Sequence, residues 1–327
     1  MPSIKILDCT LRDGGYINNW EFGEENIETI SKELLNAGID FIEYGFLSDN
    51  HIFNKDKTLF SSANKIPNIQ NCLNPTLMVN YGEVDFDNYK NTTPILELRL
   101  SFKPYQLSEL SEYVEPLIKN YVKFSLNPMH ISLYSENDLL NLADITNEIK
   151  PACLVGVDTM GIMKETDTKN IFELLDKNLD KNIPLGFHSH NNLNLSMKNT
   201  ETFISLNSDR TLIIDSSLGG FARGGGLLST KDICALLNNK SNSHYDLNRL
   251  SELEDFVKNI YANNIDSRDK ELYIISAEMK CHPNYAKQLQ NKNLSNREIR
   301  EVLKNIPQEK RPYYDKTLTE KLINNCV

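Results

Sequence analysis

Ile4-Lys5-Ile6-Leu7-Asp8-Cys9-Thr10-Leu11-Arg12-Asp13-Gly14-Gly15-Tyr16 sets the reading of the whole chain. Residues 4–9 predict a short buried strand that runs straight into a charged turn. A charged pair at the end of an apolar strand, on glycines that let backbone approach a ligand, is an active-site arrangement. The plain alternative is a strand end with a surface ion pair and a tight turn. The choice depends on what the remaining chain sets beside Arg12 and Asp13.

Beyond this stretch the chain repeats one pattern. Apolar runs at 4–9, 41–47, 76–80, 95–100, 121–126, 153–157, 184–190 and 212–216 predict strands. Each is followed by a helical pattern: 24–36, a short helix ending at Lys65, 85–90, 107–119, 136–150, 167–179, 193–206 and 228–238. Near-continuous apolar strands of this kind suit a parallel sheet buried on both faces. Strand–helix units repeated in this way over about 240 residues predict an α/β protein, a (β/α)8 TIM barrel. An open doubly wound sheet would carry a glycine-rich loop after its first strand, and Arg12-Asp13-Gly14-Gly15 is not that fingerprint. The reading is a catalytic barrel at 1–244 and a helical C-terminal extension at 245–327. The extension is expected to pack on the barrel as a cap or as a homodimer surface.

With 327 residues, 40% apolar and 24% charged, the composition suits a folded core. The net charge of -10 argues against nucleic acid or an anionic membrane surface as a general partner. It leaves an anionic small substrate open, since a local site can be positive. No apolar run approaches the ~20 residues of a membrane span. The six cysteines are scattered, with no C-x-x-C pair, and no signal peptide is visible. They read as reduced thiols of a cytoplasmic protein.

A barrel places its site at the C-terminal ends of its strands. There the chain offers Arg12 and Asp13, Glu43 and Arg99 within strands, Asp158 and Thr159, His188-Ser189-His190, and Asp215 with Ser216. Residues two apart on a strand share a face, so His188 and His190 can meet one metal ion. Asp13 is the carboxylate third, because closure sets the first and seventh strands two apart. Such a site leaves positions for water and substrate, and Mn²⁺, Mg²⁺, Zn²⁺ or Co²⁺ suits it. Arg12 beside it would take charge from an oxyanion, with Glu43 orienting it. The glycine-rich loop 219–226 with Arg223 reads as an anion cradle or a flexible connection. Cys281-His282-Pro283-Asn284-Tyr285 is either a capping segment or a surface turn.

Asp8-x-Thr10-Leu11-Arg12-Asp13-Gly14, Ile42-Glu43-x-Gly45, Asp158-Thr159-x-Gly161 and His188-x-His190-Asn191 together resemble the HMG-CoA lyase-like (DRE-TIM) metallolyases. The match runs in order through residues 4–240 and is nearest to the 4-hydroxy-2-oxovalerate aldolase branch. The resemblance implies a divalent metal, Mn²⁺ or Mg²⁺ first, on Asp13, His188 and His190. It implies that Arg12 stabilises an enolate and that Tyr285 takes part in proton transfer; Glu43 is read with them as catalytic from its place in the second strand, and Tyr16, Arg99 and Thr159 are expected to contact a 2-oxo acid. The chain departs from the pattern at Tyr16, where that branch has a histidine nearby. It departs again at Leu227, where many members have a ligating asparagine, and at Lys231, where an acid often follows. The expected activity is metal-dependent cleavage or formation of a C–C bond through a pyruvate-type enolate. A Claisen-type acyl-CoA synthase and a non-catalytic scaffold barrel are the alternatives.

Overall fold

Alternation along each strand builds this molecule. Outward side chains such as Ile6, Ile42, Tyr44, Leu77, Leu98, Leu126, Leu154, Phe187 and Ile214 join one buried cluster with the surrounding helices. Inward, Leu7, Cys9, Phe41, Cys153, Val155 and Ile213 form a smaller apolar plug. Two residues further on, inward positions become charged: Phe41 is followed by Glu43 and Ile213 by Asp215.

The computed structural model describes residues 3–67, 74–89, 96–206, 208–241, 243–262 and 267–324. Its strands are β1 (Ile4–Asp8), β2 (Phe41–Leu47), β3 (Leu59–Phe60), β4 (Pro75–Asn80), β5 (Glu97–Phe102), β6 (Phe124–Pro128), β7 (Leu154–Asp158), β8 (Leu185–Ser189) and β9 (Leu212–Ser216). The order β1-β9-β8-β7-β6-β5-β4-β2, with β1 pairing back to β2, closes a parallel barrel. The two-residue β3 pairs only with the upper end of β2. This is the expected (β/α)8 fold.

The barrel helices are α1 (Gly15–Asn18), α2 (Glu24–Asn36), α3 (Leu110–Lys119), α4 (Glu136–Ile149), α5 (Glu165–Asn178), α6 (Ser196–Ile204) and α7 (Thr230–Lys240). Then come α8 (Leu247–Tyr261), α9 (Ser267–Glu278), α10 (Pro283–Gln290), α11 (Asn296–Lys304) and α12 (Lys316–Asn324). Leu250, Leu253, Val257 and Tyr261 of α8 share the barrel's own core. From α9 onward a second core forms around Leu272, Ile275, Tyr285, Leu289, Ile299 and Leu303. No helix among the described residues is long and apolar enough to cross a membrane.

Two expected elements differ. The helix expected at 85–90 is a run of turns through residue 89, and Lys90 lies outside the described residues. The Asp85 carboxylate accepts the Asp87 N–H at 3.1 Å and the Asn88 side-chain amide at 2.7 Å, a local turn that competes with helix. The strand expected at 121–126 starts later, at Phe124. Tyr121 takes a left-handed φ of 52° and Val122 donates back to Leu117, so both residues close α3. Ile95, Cys72 and Cys326 lie outside the described residues; Cys9, Cys153, Cys234 and Cys281 are free and buried.

Candidate functional site

The turn after β1 is fixed from several sides. Cys9 extends the sheet by donating to Ser216, and its carbonyl accepts the N–H groups of Arg12 (3.0 Å) and Asp13 (2.8 Å). The Asp8 carboxylate accepts the Thr10 N–H at 2.8 Å and the Thr230 hydroxyl at 2.6 Å. Thr10 Oγ1 in turn accepts the Leu218 N–H at 2.8 Å. Thr58 donates to the Leu11 carbonyl and Trp20 Nε1 to the Arg12 carbonyl. Gly14 has no room for a side chain: a Cβ would sit 2.4 Å from the Thr10 carbonyl and from the Tyr261 hydroxyl. The Asp-x-Thr-Leu-Arg-Asp-Gly stretch is thus a clamp that holds Arg12 and Asp13 at the barrel mouth.

Six charged or titratable side chains close a ring there. Arg12 Nη1 lies 3.2 Å from Asp13 Oδ2, and Arg12 Nε donates to Glu43 at 2.5 Å. Arg99 bridges Glu43 (2.9 Å) and Asp215 (2.6 Å). Asp215 Oδ2 accepts from His188 Nδ1 at 2.8 Å, and His188 Nε2 returns to Asp13 Oδ2 at 3.1 Å. All six are buried. Three carboxylates against two guanidinium groups leave the ring one negative charge when His188 is neutral.

This ring fits a cation. Asp13 Oδ2 is buried with no hydrogen-bond partner among the described residues. His190 Nε2 lies 3.8 Å from the same oxygen, and donor atoms of Asp13, His188 and His190 fall within 4.8 Å of one another. Because Asp215 takes the proton on His188 Nδ1, the Nε2 lone pair faces Asp13, an arrangement that orients a ligating imidazole. Burial pushes His190 down to about 3, so its ring is neutral and able to ligate. Burial would raise Asp13, but Arg12, then His188 and His190, hold it well below the usual carboxylate range. For His188, burial lowers the pKa and is outweighed by the nearby Asp13 and Asp215 carboxylates, which raise it. Two nitrogens and one carboxylate suit Mn²⁺, Mg²⁺, Zn²⁺ or Co²⁺ and do not choose among them.

The cleft above the ring has a volume of about 560 Å³. Arg12, Asp13, Tyr16, Thr159, His188 and His190 all line it. Its apolar wall is Phe46, Met78, Met129 and Val157; Asn80, Ser101, Asn127 and Arg223 supply polar groups. Three expected site residues are not brought to it. Glu43 and Arg99 lie beneath, with their side chains committed to the ring. Tyr285 sits in the core of the extension, its hydroxyl bonded to the carbonyls of Lys310 and Tyr313 and to the Asp315 N–H.

Other residues gain weight. Asp215 is the sheet neighbour of His188 in register, a relation visible only once the eighth barrel strand is set beside the seventh. Arg223 is held between the rings of Tyr16 (5.4 Å) and Tyr273 of α9 (5.9 Å). Asn127 has both ends of its side chain buried without a partner among the described residues. The loop at 219–226 is not an open cradle. The N–H groups of Gly219, Gly220, Phe221, Gly225 and Gly226 are bonded to Glu254, Ser217, Leu218, Asn192 and Arg223. Leu227 joins the barrel's inner apolar plug, and Lys231 pairs with Glu254 at 2.8 Å.

The HMGL-like family model matches residues 95–257. It begins after β1 and β2, so the placement of Arg12, Asp13 and Glu43 rests on the structure. An oxaloacetate decarboxylase from Mycobacterium tuberculosis is 23% identical over 75% of this chain and 73% of its own length. A 4-hydroxy-2-oxovalerate aldolase from Pseudoalteromonas translucida is 24% identical over 78% of this chain and 76% of its own. Among solved structures, a variant carboxyl transferase domain of Rhizobium etli pyruvate carboxylase with pyruvate superposes with a TM-score of 0.73 at 12% identity. That likeness covers 99% of this chain and 61% of the other, and it speaks for the fold alone. The matched family region and these two relatives, both carbon–carbon lyases by name, together make this chain similar to the HMGL-like family.

Proposed function

We propose that this chain is a divalent-metal-dependent lyase that breaks, or in reverse forms, a carbon–carbon bond of a 2-oxo acid through a pyruvate-type enolate. The observation that carries the reading is the convergence of Asp13, His188 and His190 beside Arg12 at the barrel mouth. The relatives' substrates support it chemically. Oxaloacetate losing carbon dioxide, and 4-hydroxy-2-oxovalerate losing acetaldehyde, leave the same three-carbon enolate.

Asp13, His188 and His190 would hold the ion, which when bound supplies Lewis-acid polarisation of a 2-oxo group. Arg12 lines the cleft and is fixed from behind by Glu43, so its remaining N–H groups face a developing oxyanion without reorganising. Asn127 and Thr159 line the same space and can orient the substrate carboxylate. Phe46, Met78, Met129 and Val157 exclude water from a basic enolate. Burial, then Asp13, raises the Tyr16 pKa, so its hydroxyl keeps its proton and can deliver one to a carbon or oxygen in the cleft. Four buried free thiols suit a reducing compartment, and we place the protein in the cytoplasm on that ground.

The test is pyruvate release from oxaloacetate and from 4-hydroxy-2-oxo acids by the metal-loaded chain. Asp13→Asn is expected to abolish release and to weaken Mn²⁺ binding by about 100-fold or more, with the circular dichroism unchanged. Full activity in that variant would overturn the reading. So would a folded wild-type chain with no affinity for any divalent ion.

A further inference from the structure

Past His190, Thr159 and Arg223, the cleft opens into a second recess under the extension, which these same three residues also line. Its own wall is His130, Met160, Asn192, Tyr273, His282 and Pro283, with a volume of about 300 Å³. Among the described residues no carboxylate lines it.

Arg223 in this recess is unlike Arg12 and Arg99. Each of those meets two carboxylates, whereas Arg223 has no acidic partner among the described residues. Its Nε donates to the Tyr273 hydroxyl at 3.1 Å, and the faces of Tyr16 and Tyr273 hold the guanidinium in place. Among the described residues its Nη groups have no hydrogen-bond acceptor. A part-buried guanidinium held by aromatic faces and one hydroxyl keeps its Nη groups for an anion that enters.

His130 makes an independent case. It is 3% exposed, yet its Nδ1 is buried with no partner among the described residues. Burial, then Lys103 and Arg223, pushes its pKa down to about 4. Burial, then Arg223, His130 and Lys103, does the same to His282. Both rings are therefore neutral polar groups beside the positive charges of Arg223 and Lys103.

We propose that this recess is an anion subsite that selects 2-oxo acids bearing a second carboxylate, remote from the oxo group. The proposal rests on the cleft holding the 2-oxo acid end, as argued above. With that end beside Asp13 and Arg12, the rest of the substrate reaches the recess past His190, Thr159 and Arg223. There the distal carboxylate meets the Arg223 Nη groups and the unpartnered imidazole of His130. The recess is far too small for a nucleotide.

The experiment compares 2-oxoglutarate with 2-oxovalerate, which has the same chain length and lacks the distal carboxylate. Both are titrated calorimetrically into the Mn²⁺-loaded full chain. Wild type is expected to favour 2-oxoglutarate by about 10-fold or more, the size of one charged hydrogen-bonded contact. Arg223→Gln should bring that ratio below about 3-fold, and Arg223→Lys should keep most of it. Equal wild-type affinities overturn the proposal whatever the variants do, and so does an undiminished ratio in a folded Arg223→Gln. Inorganic phosphate is the third titrant: it should weaken 2-oxoglutarate more than 2-oxovalerate. Phosphate that binds without competing places free anions elsewhere and overturns the subsite. Preference for the dianion without pyruvate release from any 2-oxo acid sinks the lyase reading and leaves the subsite standing. Pyruvate release without the preference sinks the subsite alone. If neither acid binds, both fall.

Discussion

The floor and the roof of the cleft carry charge in opposite ways. On the floor, Arg12, Glu43, Arg99, Asp215, His188 and Asp13 pair with one another around a closed ring at 2.5–3.2 Å, with one negative charge left for a metal. On the roof, Arg223 has aromatic faces and one hydroxyl, and no acid. The floor is rigid before any ligand arrives, because each buried charge has its counter-charge in the protein. The roof leaves its charge for whatever enters. A pre-paired floor can orient a metal and an oxyanion partner with little reorganisation, and an unpaired roof can discriminate between ligands.

Breaking the floor should have the largest effect. Glu43 is fully buried between two guanidinium groups. Glu43→Ala would leave Arg12 and Arg99 facing one another without it, and breaking a buried pair this way costs about 3–5 kcal/mol. We expect that loss in chemical denaturation. An unchanged unfolding midpoint would show that the ring is not the frame of the mouth. Arg223→Gln is the opposite case. It removes an unpaired cation, so its folded stability should equal or exceed that of wild type. A destabilised Arg223→Gln would mean that the roof, too, is paired by the protein.

How much of this contrast could be read beforehand depends on whether the cause was local. The barrel strands were legible because their outward side chains form apolar runs between helix signals. Asp13, His188 and His190 were legible because strand ends and a two-residue spacing suffice to place them. Glu43 and Arg99 stood out as charges within apolar strands, but only barrel closure shows that they point at each other below the cleft. Asp215 needs the register His188↔Asp215, a property of two strands together. In the extension, the family resemblance pointed to Tyr285, whereas the tyrosine that reaches the cleft region is Tyr273 of α9. Which tyrosine faces the barrel is settled by how α9 to α11 pack, and the packing saturates the Tyr285 hydroxyl with three backbone partners.

An intermediate effect is expected where the floor meets the metal ligands. Asp215→Asn keeps the shape of the side chain but removes the charge that holds His188 Nδ1 and Arg99. Loss of such an orienting partner lowers metal affinity by about 10–100-fold. Electron paramagnetic resonance titration with Mn²⁺ reads this directly, apart from turnover. Affinity equal to wild type would mean that His188 is oriented by its backbone alone. The floor would then be a stability device with no bearing on the site.

The smallest effect is expected at the roof's support. The Tyr273 hydroxyl accepts the only side-chain hydrogen bond that Arg223 makes among the described residues. Tyr273→Phe keeps the ring face at 5.9 Å and removes that acceptor. The guanidinium then stays over two aromatic rings with one more free N–H. Losing a neutral acceptor for a charged donor that can turn to other partners costs about 0.5 kcal/mol. The preference for 2-oxoglutarate over 2-oxovalerate should therefore fall by about 2-fold, less than in Arg223→Gln. The change should lie in the binding of the dianion and leave that of the monoanion close to wild type. A loss as large as that of Arg223→Gln would transfer the discrimination from the guanidinium to the Tyr273 hydroxyl itself. No loss at all would mean that the two aromatic faces suffice to aim Arg223, and that stacking rather than hydrogen bonding sets the roof.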